Sequence, residues 1–178
     1  VFADGARIAD GRAPPAYTKD YRQTAVVATV KTAQAHSGRA WERFTPEGPL
    51  ALLPYGEGYG LVWTVSPDGA ARLLALDKPA FLAQLHAAFG DRLGAFTEAG
   101  ERASFALALR YGQDETGPHS VSIGNAAQTL HPVAGQGFNL GLRDAWELAR
   151  LARAAHEPGS DSFCVDYRRM RALDRRAG

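Results

Sequence analysis

Apolar positions along this chain switch between a two-residue and a helical repeat. "RQTAVVATVKT" (22–32) is rich in β-branched residues and reads as a strand. "GRAWERFT" (38–45) and "GPLALLPY" (48–55) read as further strands, the second cut at Pro54, and "GEGYGLVWTVS" (56–66) as a turn and a strand through Trp63. Four strands joined by short turns predict a mainly antiparallel sheet. The period then changes. In "DKPAFLAQLHAAFGDRLG" (77–94) Phe81, Leu82, Leu85 and Phe89 recur at helical spacing, Asp77 can cap, Pro79 suits the first turn and Gly90 ends the run. "ASFALALRYG" (103–112) alternates again, with Phe105, Leu107, Leu109 and Tyr111 on one face. "HSVSIG" (119–124) reads as a short strand running into Gly124. A helix after Gly137 carries Phe138, Leu142, Ala145 and Ala149 along one apolar stripe, and a last helix is expected over roughly 161–176. Residues 1–3 resemble a strand end, stopped by the Asp4-Gly5 turn signal, and 10–20 read as loop.

The fold class expected is α+β. The 178 residues, 46% of them apolar, can bury a sizeable core. A net charge of +1 gives no argument for nucleic acid. Five arginines, Arg168, Arg169, Arg171, Arg175 and Arg176, crowd the end of the chain, where a solvated helix face is the plain reading and a membrane surface or acidic partner the sharper one. Cys164 is the only cysteine, so no intramolecular disulfide can form; a buried small residue in a reducing compartment is expected. No apolar run approaches a membrane span. The chain starts without Met and stops in an arginine-rich helix, so both ends are read as cuts through a larger protein.

Several chemistries find no support. The histidines, His36, His86, His119, His131 and His156, show no ligand spacing and no cysteine pair, so no metal is expected. The G-x-S-x-G elbow, the Gly-Lys-Ser/Thr phosphate loop and the complete G-x-G-x-x-G fingerprint are all missing; "GQGFNLG" has Leu140 where the third glycine belongs.

What remains is "GNAAQTLHPVAGQGFNLGLRD" (124–144). A strand end, Gly124-Asn125, a loop with Pro132, then Gly135-Gln136-Gly137 and a helix opening on Phe138 and Asn139 bring main-chain N–H groups to a helix N-terminus. That end carries roughly half a positive charge and attracts anions. Glycines let a flat or anionic ligand approach the main chain. Glycine needed only for the turn is the plainer alternative at this point.

Those residues resemble the second FAD motif of the para-hydroxybenzoate-hydroxylase-type flavin monooxygenases: Gly124, Asn125, Ala126, Ala127, Gln128, Pro132, Gly135, Gln136, Gly137 and Asn139 follow its order. Ala3-Asp4-Gly5 is similar to the same family's Asp-Gly motif. Asn125 and Gln128, in place of the more general Asp and His, resemble the ubiquinone-biosynthesis branch, the octaprenyl-methoxyphenol hydroxylases, as do "YRQTAVVATV" and "AHSGRAWERFTPEGPLALLP". The family's Rossmann half is missing, and Ile8 or Ala9 stands where it keeps a serine.

The resemblance implies an incomplete FAD/NAD(P)-binding fold in three parts. Residues 1–15 are a remnant of the FAD-binding domain with the Asp-Gly motif, 16–112 a substrate-binding sheet domain with one helix, and 113–178 the second FAD motif and C-terminal helices. It implies FAD as cofactor, held by Asp4, Gly5, Gly124, Asn125, Pro132, Gly135, Gln136, Gly137, Phe138 and Asn139. It implies NAD(P)H, O2 and a polyprenylated phenol as reactants, with ring hydroxylation through a flavin C4a-hydroperoxide. Trp41, Phe44, Trp63 and Phe105 are core by residue type and pocket lining by the resemblance. No catalytic acid or base is evident; His131 beside Pro132 fits a structural role as well. The implied location is cytoplasmic, with contact to the inner membrane or to a ubiquinone-biosynthesis complex in keeping with a lipid-tailed substrate. The same fold also admits another flavin aromatic hydroxylase or a flavin-linked prenyl reductase, and a silent fragment that only binds substrate or partner is the reading of another class.

Overall fold

A computed structural model describes residues 1–3, 17–111, 118–130 and 136–177. It divides into two compact units, one of residues 22–107 and one of residues 1–21 with 108–178.

The 22–107 unit is an antiparallel sheet with helices on one face. Its strands are β1 (Tyr17–Thr32, which begins in the other unit), β2 (Trp41–Phe44), β3 (Pro49–Tyr55), β4 (Gly58–Val65), the short β5 (Phe96–Ala99) and β6 (Ala103–Tyr111, which ends in the other unit). The strand order is β2-β3-β4-β1, with β6 following β1 and β5 pairing with the end of β1. Val26 faces Trp63 and Val30 faces Tyr59 across β1 and β4, while Leu50 faces Trp63 and Leu52 faces Leu61 across β3 and β4. These residues share the face covered by α1 (Pro67–Ala75) and α2 (Lys78–Phe89), where Leu73, Phe81, Leu85 and Phe89 complete the core. The Trp63 and Phe81 rings lie 6.3 Å apart.

β3 continues through Pro54, which pairs with Tyr59, so the expected cut does not occur. β2 reaches only as far as Leu52, so β3 is an edge beyond that point and the missing N–H breaks no ladder. Asp77 caps α2 as expected: its Oδ1 accepts the Ala80 N–H at 2.9 Å. α1 follows the same rule, with Ser66 capping Gly69 and Pro67 opening the helix. Arg102 closes its far end, donating to the Leu73 and Leu76 carbonyls at 2.7 and 2.6 Å with its guanidinium over the Phe81 ring.

The other unit holds α3 (Gln136–Ala154), α4 (Asp161–Ala177) and the two-residue β7 (Gln128–Thr129), which pairs with the end of β6. "HSVSIG" is no extended strand; among the described residues it makes one isolated parallel bridge, Ser122 to Phe2. Val121, Cys164 and Tyr167 form the core, with Ile123, Leu148, Leu151, Phe163 and Met170 packed on it. The stripe expected on α3 does not face this core. Phe138 and Leu142 are 79% and 59% exposed, and the buried side of the helix is the one with Asp144, Leu148 and Leu151. Arg171 is likewise not a solvated arginine: it is 2% exposed and pairs with the fully buried Asp144.

Among the described residues no helix is long and apolar enough to cross a membrane, and no cluster of His, Cys, Asp or Glu could hold a metal ion.

Candidate functional site

Residues 118–130 hold a turn, and residues 136–154 form the helix it packs on. Ile123 is extended, and Gly124 then turns with φ +57°, a conformation that strains any residue with a Cβ. Gly124–Ala126 form one 3-10 turn, closed by the Ala127 N–H to the Gly124 carbonyl at 2.9 Å. Ala126 and Ala127 are buried, while Asn125 at the middle of this turn is exposed.

The turn sits directly on α3. A Cβ added to Gly141 would stand 3.3 Å from the Gly124 Cα, so glycine at both positions lets main chain pack on main chain. Gly141 lies about 7.5 Å of helix rise from Gln136, the first residue of α3. Asn125 and the first turn of α3 thus belong to one small region. The N–H groups of that first turn have no partner within the helix and sit at its positive end.

Gly137, in this first turn, bears on what the region receives. It has no positive φ, and a Cβ built on it meets nothing within 4 Å. The described residues therefore give no reason for glycine here, although glycine in a helix costs about 1 kcal/mol relative to alanine. Open space beside N–H groups that a helix leaves without a partner of its own suits a flat, anionic group that must come close. Gln128 adds a second sign: it is 5% exposed, yet neither atom of its carboxamide has a hydrogen-bond partner among the described residues. A buried amide left so is destabilising by about 1–3 kcal/mol and calls for a partner. The residues present thus fit FAD, whose pyrophosphate and ring edge are anion-like and hydrogen-bonding.

Of the residues expected at a cofactor site, Gly124, Asn125, Gln136, Gly137, Phe138 and Asn139 fall in this region, with Phe138 and Asn139 exposed at the start of α3. Asp4, Gly5, Pro132 and Gly135, and His131 with them, lie outside the described residues. The Gly124 N–H is not available to a ligand, because Asp144 Oδ2 accepts it at 2.9 Å. Asp144 and Gly141 were not anticipated. Both stand in "NLGLRD" at the end of the stretch, but only the fold shows that one ties down Gly124 and the other packs against it.

The aromatic residues expected around a substrate separate. Trp63 is core, and Phe44 and Phe105 are exposed, at 73% and 59%. Phe44 and Trp63 border a cavity of about 450 Å³ shared with Arg43, Arg72 and Leu73; Phe105 is not part of it. On the sheet face away from the helices, Val27, Val62 and Ala51 form a cross-strand row of half-buried apolar residues, with Leu53 exposed beside it.

The chain matches the family model of the FAD binding domain over residues 12–176. It is 39% identical to the ubiquinone hydroxylase UbiL of Rhodospirillum rubrum, over 98% of this chain and 42% of that protein. It is 32% identical to the human mitochondrial ubiquinone biosynthesis monooxygenase COQ6, over 83% of this chain and 39% of that protein. The chain thus spans about two-fifths of the length of these relatives. In fold it is similar to pqsL, a probable FAD-dependent monooxygenase from Pseudomonas aeruginosa, with a TM-score of 0.71 at 20% identity, covering 99% of this chain and 52% of that one. With a match that runs over nearly all of its residues, and a glycine-built turn and helix start that suit the cofactor, this chain belongs to the FAD-binding-domain family.

Proposed function

We propose that this chain is part of an FAD-dependent monooxygenase that hydroxylates the aromatic ring of a polyprenylated phenol in ubiquinone biosynthesis, using NAD(P)H and O2. The observation that carries the reading is the open first turn of α3, where Gly137 leaves space that no described residue needs. Similarity to a ubiquinone hydroxylase and to a ubiquinone biosynthesis monooxygenase supports the choice of reaction.

Bound FAD supplies the redox chemistry between NAD(P)H, O2 and the ring. The chain's own residues bind and orient. N–H groups of Gln136, Gly137, Phe138 and Asn139 offer preorganised donors to negative charge, and the α3 dipole adds to them. Asn125 offers a donor and an acceptor to a ribityl hydroxyl or phosphate without adding a charge of its own. Gly135 and Pro132 shape the approach, and Asp4 with Gly5 contributes from the start of the chain; these four rest on the family resemblance. The row Val27, Val62 and Ala51 offers apolar surface to an isoprenoid tail and keeps water from it. A tail of that kind resides in lipid, so access from a membrane surface is part of the proposal.

The test is Gly137→Val in the full chain reconstituted with FAD. Valine is a better helix residue than glycine, so the fold is expected to hold. Its branched side chain fills the open space, and flavin absorbance is expected to be lost from the purified protein. Retention of flavin by this variant overturns the placement of the cofactor. With the parent protein, NAD(P)H oxidation in the presence of a polyprenylated phenol is expected to consume O2 and to add one oxygen atom to the phenol. Reductant oxidation with no oxygen incorporated favours the flavin-linked reductase instead.

A further inference from the structure

Behind the Gly124 turn lies a buried ion pair that stability alone does not explain. Asp144 on α3 is 0% exposed and Arg171 on α4 is 2% exposed. Asp144 Oδ1 accepts Arg171 Nε at 2.7 Å, and Oδ2 accepts the Gly124 N–H at 2.9 Å. The Tyr167 hydroxyl faces the Asp144 main-chain carbonyl at 3.4 Å. Taking a carboxylate and a guanidinium out of water is so unfavourable that well-packed apolar residues of similar volume are commonly as stable or more so. An apolar pair, however, cannot hold a main-chain N–H. Here the carboxylate does so at the residue with φ +57° that starts the Asn125 turn. Arg171 in turn fixes the carboxylate, so two helices determine where that turn stands.

We infer that Asp144 and Arg171 are positioning residues for the cofactor: they set the Gly124–Asn125 turn and, through it, the affinity and surroundings of the flavin. The inference rests on the flavin reading of this turn proposed above. Neither residue is placed against the cofactor. Asp144 acts through the Gly124 main chain, and Arg171 acts through Asp144.

The experiment compares two double variants in the full chain, each free of buried charge. Asp144→Asn with Arg171→Met keeps a side-chain oxygen for the Gly124 N–H. Asp144→Leu with Arg171→Met removes it. Thermal unfolding and near-ultraviolet dichroism establish that each folds. FAD affinity is read by flavin-fluorescence quenching, and the vibronic structure of the bound-flavin absorption band reports its surroundings. The leucine variant is expected to bind FAD about tenfold more weakly, the loss of one hydrogen bond, with a blurred band. The asparagine variant is expected to recover the parent's affinity to within about threefold and its band shape. A general structural role would move both variants together. If both bind FAD as the parent does, while Gly137→Val loses it, the positioning role is overturned and the flavin reading stands. If Gly137→Val keeps its flavin, the flavin reading fails, and this inference with it. Should leucine prevent folding, Asp144→Ala on the same Arg171→Met background makes the same comparison.

Discussion

Gly141→Ala sets two effects of opposite sign against each other. Within α3, alanine is better than glycine by about 1 kcal/mol. The added Cβ, however, would stand 3.3 Å from the Gly124 Cα, where carbon atoms prefer about 3.5–4.0 Å. A Cβ has no rotamer by which to escape, and its neighbour is main chain held by Asp144 at 2.9 Å. The turn must therefore yield by a few tenths of an ångström, with a loss of about 1 kcal/mol. The two effects nearly cancel, so the melting temperature is expected to stay within about 4 °C of the parent's. On the proposed placement of the flavin, FAD binding has no such compensation, because the displaced turn carries Asn125. We expect the dissociation constant to rise by about tenfold, equivalent to one hydrogen bond lost. A thermal scan of the apoprotein and a fluorescence titration with FAD measure the two quantities separately. A Gly141→Ala variant that gains the full helix-propensity stabilisation and binds FAD as the parent does refutes the reasoning, since the glycine contact would then set nothing.

Two further outcomes follow from single side chains. Gln128→Leu removes a buried carboxamide with no partner among the described residues, so the apoprotein is expected to gain about 1–2 kcal/mol in urea unfolding while the holoprotein gains less; a destabilised apoprotein would show that the amide is satisfied in solution. Lys31 pairs with Glu98 at 3.1 Å on the surface, and the hydrogen bond and charge of Glu98 raise its ammonium pKa above 10.5. Its contribution to stability is therefore fully present below pH 10.5 and is lost as the pH rises through the higher value of the folded state. It is also screened by salt. Lys31→Met is expected to flatten the alkaline limb of a plot of melting temperature against pH and to change little at neutral pH; an unaltered alkaline limb removes the pair from the account.

Local rules were legible where the signal and its cause lie close together. Asp77, Pro79 and Gly90 mark α2 at both ends, and the alternation around Val26 and Val30 gives the central strand. Ser66 and Pro67 announce α1 in the same way, but Gly69 inside the first turn hides it, and its reason is packing: a Cβ there would meet Val65 and Glu47. The antiparallel α+β architecture follows from such local patterns. The workings of the candidate site do not. Arg171 looks like one more cation in a basic helix, because its partner Asp144 lies 27 residues away. Phe138 and Leu142 have the spacing of a core stripe, yet the turn at Gly124 and the core around Tyr167 take the opposite side of α3. The glycine motif itself was plain in the chain; that Gly124 stands on Gly141 became visible only once the helix was in place.

The tie between Gly124, Asp144 and Arg171 also has a consequence for how the protein is made. The carboxylate lies 20 residues after the glycine, and the guanidinium 27 residues after the carboxylate. A ribosome adding roughly 5–20 residues each second needs several seconds to pass from the first to the last. Until then the glycine turn lacks its lock, even with the sheet before it already complete. Nascent chains halted ahead of Arg171 should therefore carry a folded sheet and a loose turn, which locks only once Arg171 has been made and has left the ribosome.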